Sequence, residues 1–334
     1  MHAIRLHAFG PAENLSYETA EDPEPGPGQV RIRVRAAGVH LLDTALREGM
    51  QGPAPTATEL PTIPGREVAG VVDALGEGAP AEWLGRRAVA HLGFAPGGYA
   101  ELAVVDAARL QAVPPGLDEA EAVALIGTGR TAMGIVQFAE PDAASTVLVP
   151  AAAGGLGTLL VQYAKHRGAT VVGLAGGPRK TELVQANGAD LAVDYLDPRW
   201  PDAVREFLGA ERAASIVFDG VGGDTGRTAV GLLGAGGRHI VFGWTETGLS
   251  GGPVEFAEGE LEARGVESVQ VLGPAMLQKA GGENPVRVLE TRALDLAAEG
   301  VLRPAVTRFP LERAAAAHRA LEERRTVGKV VLEP

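Results

Sequence analysis

The chain has 334 residues, 46% hydrophobic and 22% charged. That is enough for about two domains with real cores, and too apolar for a disordered chain. It contains no cysteine, which excludes disulfide, thiolate and cysteine-ligated zinc chemistry, and its formal net charge of −12 offers no basic face to a nucleic-acid backbone. No run reaches the roughly 18 apolar residues of a membrane span, and Met1 to Pro11, carrying His2, Arg5 and His7, lacks the apolar core of a secretory signal. A soluble, cytoplasmic α/β protein with neither nucleic-acid nor membrane partner is the starting expectation.

The first third reads as strand and loop. Val30, Ile32 and Val34 alternate with Arg31, Arg33 and Arg35, the period of a half-buried strand. Val68, Val71 and Val72 belong to a second apolar run, and Arg86 to Leu92 and Tyr99 to Val105 to two more. Residues 51 to 64 hold five Gly or Pro residues and read as a loop. Short strands this close together predict a compact antiparallel unit. From about Asp118 the pattern changes, with an Ala-rich helix expected over Glu119 to Ile126.

Apolar runs then recur at Thr146–Val149, Thr170–Leu174, Leu191–Val193, Ser215–Phe218 and Arg238–Phe242. Helix-like segments separate them at Leu156–Arg167, Arg179–Asn187, Pro198–Leu208 and Thr225–Leu233. This alternation predicts a doubly wound parallel sheet with helices over both faces. Val266 to Leu272 is a candidate edge strand, Pro285 to Glu299 and Leu311 to Glu323 are helices, and Lys329 to Leu332 is a terminal strand.

The segment Val147 to Gly157 carries the most chemistry. A strand runs through Pro150, Ala151, Ala152, Ala153, Gly154 and Gly155 into a helix holding Leu156 and Gly157. Small residues there let a dinucleotide pyrophosphate approach backbone N–H groups at a helix start, and Gly157 lets that helix pack closely on its strand. Ala151 stands where such turns usually have their first glycine. After the next strand comes Ala175-Gly176-Gly177-Pro178-Arg179-Lys180. No carboxylate is present there to accept ribose hydroxyls and repel a 2′-phosphate, so NADP(H) is favoured over NAD(H). Arg179 and Lys180 either meet that phosphate or form a solvated helix start.

Ordered motifs along nearly the whole chain resemble the zinc-free quinone oxidoreductase branch of the medium-chain dehydrogenase/reductase superfamily. They are Ala37-Gly38-Val39-His40-Leu41-Leu42-Asp43 through Arg47-Glu48-Gly49, Leu60-Pro61-Thr62-Ile63-Pro64-Gly65-Arg66-Glu67-Val68-Ala69-Gly70, and Gly97-Gly98-Tyr99-Ala100-Glu101. Thr131-Ala132, Ala152 to Lys165, Phe218-Asp219-Gly220-Val221-Gly222-Gly223 and Gly328-Lys329-Val330-Val331-Leu332 follow in order.

The resemblance implies a GroES-like β domain over residues 1–122, completed by 275–334, and a Rossmann domain over 123–274, with a cleft for cofactor and substrate. It implies NADPH as hydride donor to quinones or α,β-unsaturated carbonyls. The cofactor set it implies comprises Thr131, Ala153, Gly154, Gly155, Leu156, Gly157, Gly177, Phe242, Gly243 and Lys329, with Lys180, Tyr195 and Arg324 around the 2′-phosphate. Gly177 stands where the family often has serine. A homodimer paired through Rossmann edge strands is the family expectation.

Zinc-dependent relatives ligate metal from the places of His40 and Arg66. An arginine cannot ligate zinc, so no metal is expected. The reaction then needs a donor beside the substrate oxygen, and His40, in place of the family's asparagine, is the catalytic candidate. Asp43 and Glu67 read as structural carboxylates, Arg66 as the local ion-pair partner of Glu67, and His91, His166, His239 and His318 as ordinary. The loop from Met50 to Glu59 departs from the family pattern, and the acidic segment Gly248 to Glu262 is a candidate cleft border. Two other readings stay open: an enoyl-thioester reductase of the same fold, and a low-turnover NADPH-binding sensor or structural protein.

Overall fold

A computed structural model gives the fold and describes residues 1–51, 58–248 and 251–334. Most of the Met50–Glu59 loop, and two residues of Gly248–Glu262, therefore lie outside the described residues. Two compact units divide the chain, Met1–Thr128 with Pro304–Pro334, and Gly129–Arg303.

In chain order the first unit holds β1 (His2–Leu6), β2 (Leu15–Thr19), β3 (Gln29–Val39), α1 (Leu41–Arg47), β4 (Glu67–Leu75), β5 (Arg87–His91), β6 (Leu102–Asp106), β7 (Gln111–Ala112) and α2 (Glu119–Ala124). The second begins at α3 (Arg130–Val136) and alternates through β8 (Thr146–Val149), α4 (Gly155–His166), β9 (Thr170–Ala175), α5 (Pro178–Ala186), β10 (Leu191–Asp194), α6 (Trp200–Leu208), β11 (Ala214–Asp219), α7 (Gly223–Gly231), β12 (Leu233–Val241) and β13 (Glu267–Gln270). Helices α8 (Pro274–Ala280) and α9 (Pro285–Ala298) complete it. The chain then returns to the first unit as β14 (Val306–Pro310), α10 (Ala314–Glu322) and β15 (Lys329–Glu333).

In the first unit β3 pairs antiparallel with β4, β6 and β15. Its alternation has the expected consequence: Val30, Ile32 and Val34 are buried, whereas Arg33 and Arg35 face solvent. With Tyr99, Leu110 and Leu332 they form one apolar core. Burying each such side chain contributes about 1.5–3 kcal/mol.

The second unit's sheet runs β10-β9-β8-β11-β12-β13 and every neighbouring pair is parallel. Numbered within the unit, that order is 3-2-1-4-5-6, the doubly wound dinucleotide-binding arrangement. Strand order reverses at β8, whose neighbours are β9 and β11, and the glycine-rich turn leaves the end of that strand. β13 closes one edge within the expected Val266–Leu272.

Three expectations change. The expected Rossmann boundary at 274 moves to Arg303, because α8 and α9 pack on α3 within the second unit. Amphipathicity of Pro285–Glu299 announced the helix but not which surface it covers. The helix over Glu119–Ile126 stops at Ala124, and a π-helical turn runs from Leu125 to Gly129. His239, expected to be ordinary, is a structural tie. It is fully buried, with Nε2 3.1 Å from Asp219 Oδ2 and Nδ1 2.9 Å from Ser268 Oγ, and it ties β11, β12 and β13 together.

Candidate active site

The turn after β8 has the features a pyrophosphate requires. Ala151 takes φ 53°, a left-handed conformation that costs an alanine about 1–2 kcal/mol. Gly154 is the N-cap of α4, and having no side chain it leaves the N–H groups of the first turn without a side-chain acceptor. A Cβ on Gly157 would stand 2.2 Å from the Ala151 carbonyl oxygen, so only glycine permits this approach of helix to strand. Ala153, Gly155 and Leu156 lie in the same turn. At the ends of β11 and β12, the Phe242 ring lies over Gly220, where a Cβ would be 2.5 Å from Cε2. Gly243 is confined as well, since a Cβ there would stand 2.9 Å from the Gly220 oxygen. Thr131 lies half-buried in the first turn of α3.

The corner proposed for a 2′-phosphate is formed where β9 ends, α5 begins and β10 ends. Gly177 has φ 86° with open space where a Cβ would lie, Lys180 is in the first turn of α5, and the Tyr195 hydroxyl lies beside Gly176. Asp194, at the end of β10, adds a carboxylate to that corner. Its Oδ1 accepts the N–H groups of Gly177 and Leu196, both at 3.0 Å, so it is occupied in shaping the corner. Arg324 belongs to the first unit, where it is exposed at φ 55° after α10.

The first unit holds a buried charge cluster built around His40. His40 precedes α1, and its backbone N–H donates to Asp43 Oδ2 at 2.8 Å. Its Nε2 is 2.9 Å from Glu67 Oε1 and 2.8 Å from Lys329 Nζ, and Lys329 Nζ is 2.8 Å from Glu67 Oε2. Two glycines leave room for that carboxylate: a Cβ on Gly127 would lie 1.5 Å from Oε1, and one on Gly38 2.4 Å from Oε2. Gly127 belongs to the π-helical turn, a local widening often found at functional sites. On the far side of Asp43 the Tyr99 hydroxyl donates to Oδ2 at 3.1 Å, and His318 Nε2 lies 3.3 Å from the Tyr99 oxygen.

Proton affinities follow from this packing. Burial would raise Glu67, but His40 and Lys329 hold it well below the usual carboxylate range. Burial likewise opposes Asp43, and hydrogen bonding and charge from His40, with Arg66, bring it down to about 2. Burial would lower His40, yet the Glu67 carboxylate outweighs it and raises the imidazole. Burial lowers the Lys329 ammonium. His318, lowered to about 4 by burial, stays neutral and can donate from Nε2 to Tyr99.

Three expectations meet this geometry and change. Lys329 does not extend toward a ligand; its side chain is 4% exposed and its ammonium is engaged by Glu67 and His40. His40 offers no solvent-facing nitrogen to a substrate, since Nε2 is engaged by Glu67 and Lys329 and Nδ1, which makes no hydrogen bond, is sealed from solvent 3.7 Å from Asp43 Oδ2. Arg66 does not pair with Glu67; its nearest carboxylate oxygen is Asp43 Oδ1, 3.7 Å from Nη2. The contacts of His318 and Lys329 were beyond sequence reasoning: Lys329 meets His40 across 289 positions.

The same cluster tests the fit for zinc. An ammonium occupies the gap between His40 and Glu67 where a cation would have to lie, and the other ligand place holds a guanidinium. Among the described residues no group of three His, Cys, Asp or Glu could hold a metal. The donor set does not suit the ion. Among those residues no helix is long and apolar enough to cross a membrane.

Residues 26–115 match the alcohol dehydrogenase GroES-like domain family, and residues 155–278 the zinc-binding dehydrogenase family. The chain is 33% identical to a quinone oxidoreductase of Pseudomonas aeruginosa, over 99% of each chain. It is 32% identical to a 2-haloacrylate reductase of a Burkholderia species, over 99% of this chain and 98% of that one. The crystal structure of Escherichia coli quinone oxidoreductase complexed with NADPH superposes with a TM-score of 0.84 at 26% identity, covering 100% of both chains.

Proposed function

The chain belongs to the quinone oxidoreductase branch of the medium-chain dehydrogenase/reductase superfamily, and from that premise we propose that it is an NADPH-dependent, zinc-independent reductase of quinones and α,β-unsaturated carbonyls. The observation that carries this is the glycine-lined turn at the strand-order reversal, combined with the Gly177–Lys180–Tyr195 corner, whose one carboxylate, Asp194, is taken up by the N–H groups of Gly177 and Leu196. The NADPH named for the E. coli neighbour supports the cofactor, and the quinone and haloacrylate relatives support conjugated acceptors.

When bound, NADPH supplies the hydride. The chain's own residues do the rest. First-turn N–H groups of α4 hold the pyrophosphate, with Gly154 and Gly157 giving access. Lys180 and Tyr195 bind the 2′-phosphate, Lys180 as a charge-assisted donor. Thr131, Phe242 and Gly243 line the nicotinamide end. His40 presents a ring fixed by Glu67 and Lys329, so its task is positioning. Holding donor and acceptor at fixed distance supplies much of the rate. We further propose a homodimer through the outer edge of β13, which a monomeric mass at micromolar concentration would refute.

The test is NADPH oxidation followed at 340 nm with 9,10-phenanthrenequinone and with 2-cyclohexenone, chelator present throughout. Fast loss of NADPH, slow loss of NADH and no chelator effect are expected. Chelator sensitivity would overturn the zinc-independent reading, and an NADH preference would overturn the phosphate corner.

A further inference from the structure

In dinucleotide sites that prefer NADH, an acid at the end of the second strand accepts the ribose hydroxyls. In this chain that strand is β9, and it ends at Ala175. The acid of this corner stands one strand further out. Asp194 closes β10 directly opposite Ala175 in the parallel register. A carboxylate beside a 2′-phosphate repels it, so what this carboxylate does instead decides whether the corner works.

It holds main chain. Asp194 Oδ1 accepts the N–H of Gly177 and the N–H of Leu196, both at 3.0 Å. The two donors belong to the two loops that make the corner. Gly177 is the N-cap of α5, at φ 86°, and its oxygen accepts the N–H groups of Lys180 and Thr181 at 3.1 and 3.2 Å. The place of Gly177 therefore sets where the first turn of α5 begins, and Lys180 with it. Leu196 follows Tyr195, whose own N–H is held by the Ala175 oxygen at 3.2 Å. The tyrosine is thus fixed from both sides, and a Cβ on Gly176 would stand 3.3 Å from its hydroxyl. Leu196 is 70% exposed, so apolar burial does not keep it in place. A single oxygen atom joins the backbones of the two loops.

We propose that Asp194 is the positioning residue behind cofactor choice: by gripping both loops with one oxygen, it holds Lys180 and Tyr195 in the arrangement that takes a 2′-phosphate. The grip, not the charge, is its contribution. The oxygen of a carboxamide can accept the same two N–H groups, whereas negative charge this close opposes the phosphate. The inference rests on the NADPH reading of the site and adds the residue on which that preference depends.

Binding of NADPH and of NADH is measured by calorimetry on the full chain, and the same variants are assayed at 340 nm with 9,10-phenanthrenequinone. Asp194→Asn keeps the acceptor and removes the charge. Asp194→Glu keeps the charge and displaces the oxygen by a methylene, and Asp194→Ala removes both. Asp194→Ala and Asp194→Glu should each weaken NADPH about 10- to 100-fold, with NADH within about twofold of wild type. Asp194→Asn should bind NADPH at least as tightly as wild type. In the assay the KM for NADPH should rise in the Ala and Glu variants while kcat at saturating NADPH holds, a split that general loss of structure does not produce. NADH affinity reports the folding of each variant, and should Asp194→Ala fail to fold, the Glu and Asn variants decide. Weakened NADPH binding by Asp194→Asn, or an undiminished NADPH preference in either of the others, overturns the proposal and leaves the reductase reading standing. A wild type that binds NADH as tightly as NADPH overturns the cofactor reading, and this proposal with it.

Discussion

Replacing Lys329 with methionine tests the cluster most directly. The change keeps most of the buried stem and removes the ammonium, leaving Glu67, fully buried, with His40 as its remaining partner. Stripping one member from a buried ion pair costs about 3–5 kcal/mol, because the other charge is left uncompensated. Hydrogen exchange read on peptides from β3, β4 and β15 reports opening of this unit separately from the rest, and its opening free energy should fall by that amount at pH 7. The loss should shrink as pH falls, since Glu67 without Lys329 protonates more readily and a neutral carboxyl needs no counter-charge. Replacing both partners by apolar residues, Glu67→Leu with Lys329→Met, should recover most of the loss, since such swaps are often neutral. A loss below about 1 kcal/mol in the single variant, or a double variant no better than the single, would refute the reasoning.

Four further outcomes are expected. Asp43, held at about 2, stays ionised in the fold where the unfolded chain would protonate near 3.9, so it contributes stability above that range and loses it as pH falls toward 2; wild type should lose roughly 2–3 kcal/mol through this window by acid titration, and Asp43→Asn should lack that slope. Gly127→Ala drives a Cβ into Glu67 and should lower stability by more than about 2 kcal/mol in thermal unfolding. Lys180→Glu should raise the KM for NADPH about 10- to 100-fold with little change for NADH, in the 340 nm assay. His239→Ala leaves Asp219 Oδ2 buried without its partner and should cost about 1–3 kcal/mol in denaturant unfolding.

What could be read from the sequence was whatever repeats locally. The period of two in Val30–Arg35 and the strand–helix alternation after Thr146 are properties of neighbouring residues, and the elements they predict are present within a few residues. β12 begins at Leu233 rather than Arg238, because three glycines between them conceal extended backbone from an apolar count. β1 and β2 escaped notice since neither has a clean apolar alternation, and α1 was hidden inside a family motif. The glycine turn was legible because a backbone needing close approach tolerates few residue types.

The charge cluster was not legible, and the reason is physical. A carboxylate such as Glu67 looks the same in sequence whether it faces water or a lysine hundreds of positions away. Only the antiparallel pairing of β15 with β3 brings Lys329 beside the end of β3, and β4 then delivers Glu67 on the next strand. That pairing also changes what the ligand places can do. With the Lys329 ammonium between them, His40 and Glu67 do not form the vacant donor pair that a metal site uses.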